Sequence, residues 1–262
     1  MHSLKNINLR LPVILLLVAS FFVIGKESLR AQSTLGVTGL LNSPNAVMSK
    51  EGTVKIGGNF LNTNMTPNTW DYNTFNFFLN VTLFSFFEAA LTNTAFDLYD
   101  EGRFSNVDRS VSLKLRFLKE SKYFPAIAIG SNDVLTSNTN SYFSPDRGNK
   151  YFGTHYVAIS KHFNIKGHTL GLHSAYNILS SKHQTINSPI SGGISFSPAF
   201  FNKLNLIAEY DTRDFNLGGN ILVFKYLFLQ LFIQDFKYLS FGAQAQIPLH
   251  SPDYLKNTSG EL

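Results

Sequence analysis

Apolar and polar positions alternate with a period of two along most of this chain. In "TVKIGGNFL", Val54, Ile56 and Phe60 share one face and Lys55 and Asn59 the other. In "NTFNFFLNVTLF", Phe75, Phe77, Leu79, Val81 and Leu83 oppose Asn76, Asn80 and Thr82. In "SVSLKLRFL", Val111, Leu113, Leu115 and Phe117 oppose Ser112, Lys114 and Arg116. "LNLIAEYDT" sets Leu204, Leu206, Ala208 and Tyr210 against Asn205, Glu209 and Asp211, and "LSFGAQAQI" repeats the pattern. Period two is the mark of a strand with two unlike faces. About twelve such runs start near residues 53, 72, 86, 108, 124, 152, 168, 190, 203, 215, 226 and 238.

The links between runs alternate in length. "NTNMTPNTWD", "YDEGRFSNV", "LTSNTNSYFSPDRGNK" and "LSSKHQTINSP" are long and polar, whereas "FSF", "KESKY", "NIKG" and "PAFFN" are short. Short turns at one end, long loops at the other and an even strand count predict an all-β fold, a transmembrane antiparallel β-barrel of about 12 strands. Lipid cannot satisfy backbone N–H and C=O groups, so a sheet that crosses it must close on itself. A soluble sandwich or lipocalin-like barrel would carry more surface charge than the 15% found here. The barrel is predicted over 53–250, with a C-terminal tail at 251–262. Residues 32–52 precede the first strand and are expected to pack in or under the barrel.

One run breaks the alternation. "LPVILLLVASFFVI", Leu11 to Ile24, is continuously apolar but shorter than the roughly 20 residues that span a bilayer as a helix. Lys5 and Arg10 precede it and "SLRAQ" follows, the layout of a signal peptide over 1–31 with cleavage after Ala31. This predicts export to the outer membrane of a Gram-negative bacterium. The segment holds Lys5, Arg10, Lys26 and Arg30 against Glu27, so of the formal net charge of +5 the rest of the chain keeps +2. That gives no reason to expect nucleic acid as a partner. The chain has no Cys, and hence neither disulfides nor thiolate metal sites.

Four histidines cluster between Tyr151 and Asn177: His155, His162, His168 and His173. With "NIKG" taken as the turn, Phe163 faces His168. His162 and His173 then share a face about four pairs apart, near 13 Å at strand rise, too far for one ion. His155 and His168 face lipid at opposite ends of the hairpin. No metal or cofactor is expected. Nor is a catalytic site: His173 and Ser174 point to opposite faces, and the chain has neither H-x-S nor G-x-S-x-G. Lys114 and Arg116 on the fourth strand and Glu209 and Asp211 on the ninth face inward. They are expected to meet across the lumen as an ionic cluster that blocks it, with a wet path as the alternative.

Several segments resemble the YjbH-like outer-membrane proteins linked to exopolysaccharide and capsule export. "GVTGLLNSPNAVMSKEGTVKIGGNF" is similar to that family's start, and "DRSVSLKLRFLKESKYFPAIAIGSND" to its Asp-Arg, basic strand, Glu, Pro and Gly-x-x-Asp pattern. "YVAISKHF" and "AEYD" resemble its Tyr-x-x-x-Ser-Lys-x-Phe run and a late Glu-Tyr-Asp strand. The resemblance implies a non-enzymatic accessory role in secreting or anchoring a polysaccharide, with lipid, polysaccharide and other secretion-complex proteins as partners. A small-solute porin and a structural barrel of a secretion or adhesion complex are the alternatives. Loop aromatics that could contact polysaccharide are Trp70, Tyr72, Tyr99, Tyr142 and Phe143; Trp70 and Tyr72 equally suit an aromatic girdle.

Overall fold

The computed structural model describes residues 31–68, 70–95, 107–136, 150–224 and 226–249. Twelve strands follow the alternating runs: β1 (Thr53–Leu61), β2 (Thr74–Phe84), β3 (Phe87–Ala95), β4 (Val107–Leu118), β5 (Ala126–Thr136), β6 (Thr154–Ile165), β7 (His168–Leu179), β8 (Ile190–Ser197), β9 (Leu204–Tyr210), β10 (Phe215–Val223), β11 (Leu227–Gln234) and β12 (Tyr238–Pro248). Each pairs antiparallel with its chain neighbours. β1 then pairs with β12, from Thr53 opposite Pro248 to Phe60 opposite Phe241, and the sheet closes.

The period-two pattern decides which side each residue takes. On β2, Thr74, Asn76, Phe78, Asn80 and Thr82 are buried in the lumen, while Phe77, Leu79 and Leu83 are exposed on the outside. Ile159 and Leu231 are likewise about half exposed, at 46% and 55%. The outer wall is therefore apolar, and the inner wall is lined by amides, hydroxyls and charges. A closed ring with this inside-out polarity is the transmembrane β-barrel form, because closure satisfies every edge and the apolar wall meets lipid.

The turn between β6 and β7 corrects one expectation. It holds two residues, Lys166 and Gly167, at φ 52° and 86°. Two successive residues at positive φ, the second a glycine, suit a tight hairpin whose twist matches that of its strands. Ile165 therefore pairs with His168, Ser160 with His173 and His162 with Gly171. Faces are kept relative to the predicted register, but every residue's partner shifts by two residues along the other strand.

Between β4 and β5 the ladder shifts register near Val111 and Leu113, and Asp133 takes φ 50°. The bulge buries both Asn132 and Asp133, where strict alternation would bury only one of the two.

Candidate functional site: the inner segment and the loop-end cavity

Residues 31–52 join no strand of the barrel: they pair within themselves at Gln32 and Thr38 and at Gly39 and Pro44, and the barrel wall satisfies much of the remaining backbone. Val37, Leu40, Leu41, Ala46 and Met48 are all at most 1% exposed. The segment is pinned to lumen-facing side chains right around the ring. The Thr34 carbonyl accepts from Asn59 and Asn76. Thr92 donates to the Leu35 carbonyl, and the Ala46 N–H donates to Ser160 Oγ at 2.9 Å. Gly36 sits at φ 82° with Phe78 so close that a Cβ would lie 2.8 Å from it, so this turn requires glycine.

Two charged anchors dominate. On one wall, Glu88 Oε1 accepts the backbone N–H and hydroxyl of Thr38, at 2.6 and 2.9 Å. Lys114 Nζ donates to the Thr38 carbonyl at 2.7 Å and also to Asn45 Oδ1 and the Val47 carbonyl. Lys55 Nζ reaches Gln32 Oε1 and Thr38 Oγ1. On the other wall, the Glu209 carboxylate accepts the successive backbone N–H groups of Leu41, Asn42 and Ser43, at 3.1, 2.7 and 3.2 Å. Three converging N–H groups make an anion-binding concavity, here filled by a side chain of the wall. Asn216 bridges Glu209 and Asp211, and the Asn42 side chain donates to Asp211.

Lys114, Glu209 and Asp211 are buried in the lumen as alternation predicts, but the two signs do not meet. Lys114 and Glu209 both hold the segment that lies between them, one by its carbonyls and the other by its N–H groups. Arg116 stands at the turn end, where its guanidinium donates to the Ser85 carbonyl. The expected meeting of charges across the lumen is replaced by two anchors on a shared insert. Lys55 and Glu88 were missed as anchors. The signal was available, since each occupies a polar position opposite apolar neighbours at the start of a strand.

The histidines also move closer than expected. His162 and His173 have ring centroids 5.3 Å apart, because the two-residue turn slides them into diagonal positions. His173 lies between Ser160 and Ser195, at 2.9 and 3.0 Å. Ser160 Oγ also accepts the Ala46 N–H, so His173 links the inner segment's contact on β6 to Ser195 on β8. His162 pairs with Glu120 at 2.7 Å. His155 is outward beside Ser131, and His168 stacks outward on Phe196. Among the described residues no group of three or more His, Asp or Glu could hold a metal ion.

Above the segment, at the loop end, lies a small open cavity of about 70 Å³. Its floor is the inner segment, at Thr34 and Asn42. Its walls come from β5, β6 and β7 and from the links after β7 and β9. Asp211 and Arg213 line it, and Asp214 lies beside them. Burial, followed by the charge of Asp211, pushes the Asp214 carboxyl above its usual range.

Trp70 and Tyr72 stack at 5.7 Å, and Trp70 packs on Tyr151 and Phe152, so Trp70 belongs to the loop-end core rather than to an outer girdle. Tyr99, Tyr142 and Phe143 lie outside the described residues, as do the predicted signal peptide up to residue 30 and the tail at 251–262.

Residues 31–218 match the YjbH family, described as exopolysaccharide biosynthesis protein YbjH. The chain belongs to this family. No curated protein sequence matches it. Among solved structures it is similar to the outer membrane phospholipase (OMPLA) dimer of Salmonella typhi with bound calcium. That match has 13% identity and a TM-score of 0.35, covering 75% of this chain and 89% of that one. It is also similar to outer membrane phospholipase A from Escherichia coli, at 10% identity and a TM-score of 0.34, covering 75% and 91%.

Proposed function

We propose that this protein is a non-enzymatic barrel of the Gram-negative outer membrane that serves as an accessory component in exopolysaccharide secretion or surface anchoring. The observation that carries the reading is the insert held between Lys114 and Glu209, together with family membership. A lumen filled by its own chain favours a scaffold or docking platform over an open diffusion pore. The cavity at the loop end offers this platform a polar face.

The test is a strain lacking the protein, complemented by the wild-type chain or by an empty vector. The expected result is that cell-surface or secreted polymer falls without the protein and returns with it, while polymer synthesis continues. Unchanged export in the deletion strain would overturn the reading.

A further inference from the structure

We infer that the turn end of the barrel, along the arc from β4 to β9, is a docking surface for anionic phospholipid headgroups. The inference goes beyond the functional reading above, since it concerns the opposite end of the barrel and the bilayer rather than a polymer.

Charge is divided between the two ends. At the turn end, the links β4–β5 (119–125), β6–β7 (166–167) and β8–β9 (198–203) carry Lys119, Lys122, Lys166 and Lys203 against one carboxylate, Glu120. Lys119, Lys122 and Lys166 are exposed. Glu120 is turned to other partners. Its carboxylate accepts the His162 backbone N–H at 2.7 Å, pairs with the His162 ring at 2.7 Å and lies 3.9 Å from Lys161 Nζ. At the loop end, the short links β9–β10 (211–214) and β11–β12 (235–237) instead mix Asp211, Asp214 and Asp235 with Arg213 and Lys237.

Geometry brings the cations of the turn end to the bilayer rim. β5 begins at Ala126, opposite Ser160, so β6 runs past it toward the turn. The β4–β5 link takes over that edge. On β6, Lys161 falls on the outer face between Ile159 and Phe163, and its Nζ donates to the carbonyls of Ser121, Lys122 and Phe124. A lysine on the lipid-facing wall that carries its ammonium to the strand end is the snorkelling arrangement of a membrane interface.

Aromatic rings complete the surface. Phe117, Tyr123, Phe124 and Phe200 are between 62% and 82% exposed, and Lys122 Nζ lies 5.4 Å from the Tyr123 ring centroid. These rings continue the apolar outer wall into a cationic rim. That sequence of apolar wall, aromatic belt and lysine matches acyl chains, interface and phosphates in turn.

Topology and charge together name the partner. Short turns of barrels of this form face the periplasm, so the phosphates they meet are those of phospholipids. A lysine at an anionic lipid surface favours association by about fivefold. The arc therefore selects anionic headgroups over zwitterionic ones.

The test uses the intact protein reconstituted in phosphatidylcholine bilayers at low salt. Spin-labelled phosphatidylglycerol and spin-labelled phosphatidylcholine are compared for the fraction immobilised on the barrel. The expected result is a preference for phosphatidylglycerol of about fivefold or more. Lys119→Gln/Lys122→Gln/Lys166→Gln should abolish it while leaving the association of phosphatidylcholine unchanged, which shows an intact outer wall. About 1 M salt should also abolish it, because screening then acts within about 3 Å. Lys182→Gln/Lys237→Gln, at the loop end, should retain it. Equal association of the two lipids, or a preference that survives in the triple variant, would overturn the inference. So would saturable binding of oligouronates, lost in the triple variant, without any lipid preference, since the face would then serve an anionic polymer. Export in the deletion strain does not enter this measurement, so the two readings fail separately.

Discussion

The backbone N–H of Asn42 donates to the Glu209 carboxylate at 2.7 Å, and the N–H groups of Leu41 and Ser43 converge on the same side chain. A residue of β9 therefore holds the N-terminal segment by its peptide groups, from the wall opposite the one where Lys114 holds its carbonyls. The barrel's interior is organised by its own chain.

This relationship sets the first prediction. Glu209→Gln leaves one carbonyl oxygen where a carboxylate served three N–H groups, and charge-assisted bonds are worth about 1.5–3 kcal/mol each. Thermal stability should fall by about that much in detergent. Combined with Lys114→Met the loss should be less than the sum, since both anchors hold one segment. Glu209→Gln with Arg116→Gln should be additive within about 0.5 kcal/mol, because Arg116 donates at the turn end instead. A double-mutant cycle by thermal melting reads both outcomes.

The outer wall makes a depth-dependent prediction. Ile159 is outward near the middle of β6, and Ile165 is outward beside the turn. Arg at Ile159 should cost about 2–4 kcal/mol of barrel stability and Arg at Ile165 about 0–1 kcal/mol. Refolding into bilayers at graded urea measures the difference. Equal costs would show that the outer wall does not span lipid.

The β6–β7 turn predicts opposite effects at adjacent positions. Lys166 at φ 52° carries a side chain in a conformation that Asn tolerates better, so Lys166→Asn should stabilise slightly. Gly167→Ala at φ 86° should destabilise by about 1–2 kcal/mol. The measurement is the urea midpoint of each variant.

His173 carries a fourth prediction. It links Ser160, and through it the Ala46 N–H, to Ser195. His173→Leu strips partners from two buried hydroxyls and should cost about 1–3 kcal/mol. Replacing Ser160 and Ser195 by Ala in the same chain should recover part of that loss, as thermal melting would show.

Strand placement was legible because each wall residue obeys a single rule, lipid outside and polar groups inside. Phe77 and Asn76 declare their faces without knowledge of their partners. Register was less legible. It turned on whether Lys166 and Gly167 alone formed the turn: the two-residue slip puts His162 and His173 two pairs apart, with ring centroids at 5.3 Å, instead of four. The insert was the least legible part. "GVTGLLNSPNAVMSK" has no period, because its backbone answers to side chains about 50 to 170 positions away, such as Glu88 and Glu209. Inward charge on Lys114 and Glu209 was readable from alternation. That the two would meet an insert rather than each other was not.

The most direct test of the account is conductance in planar bilayers. The wild-type barrel should be nearly silent, because the segment between Lys114 and Glu209 fills it. The Glu209→Gln/Lys114→Met double variant should show frequent openings, as the segment loses both anchors. Steady open-pore conductance from the wild-type protein, unchanged in the double variant, would contradict the account.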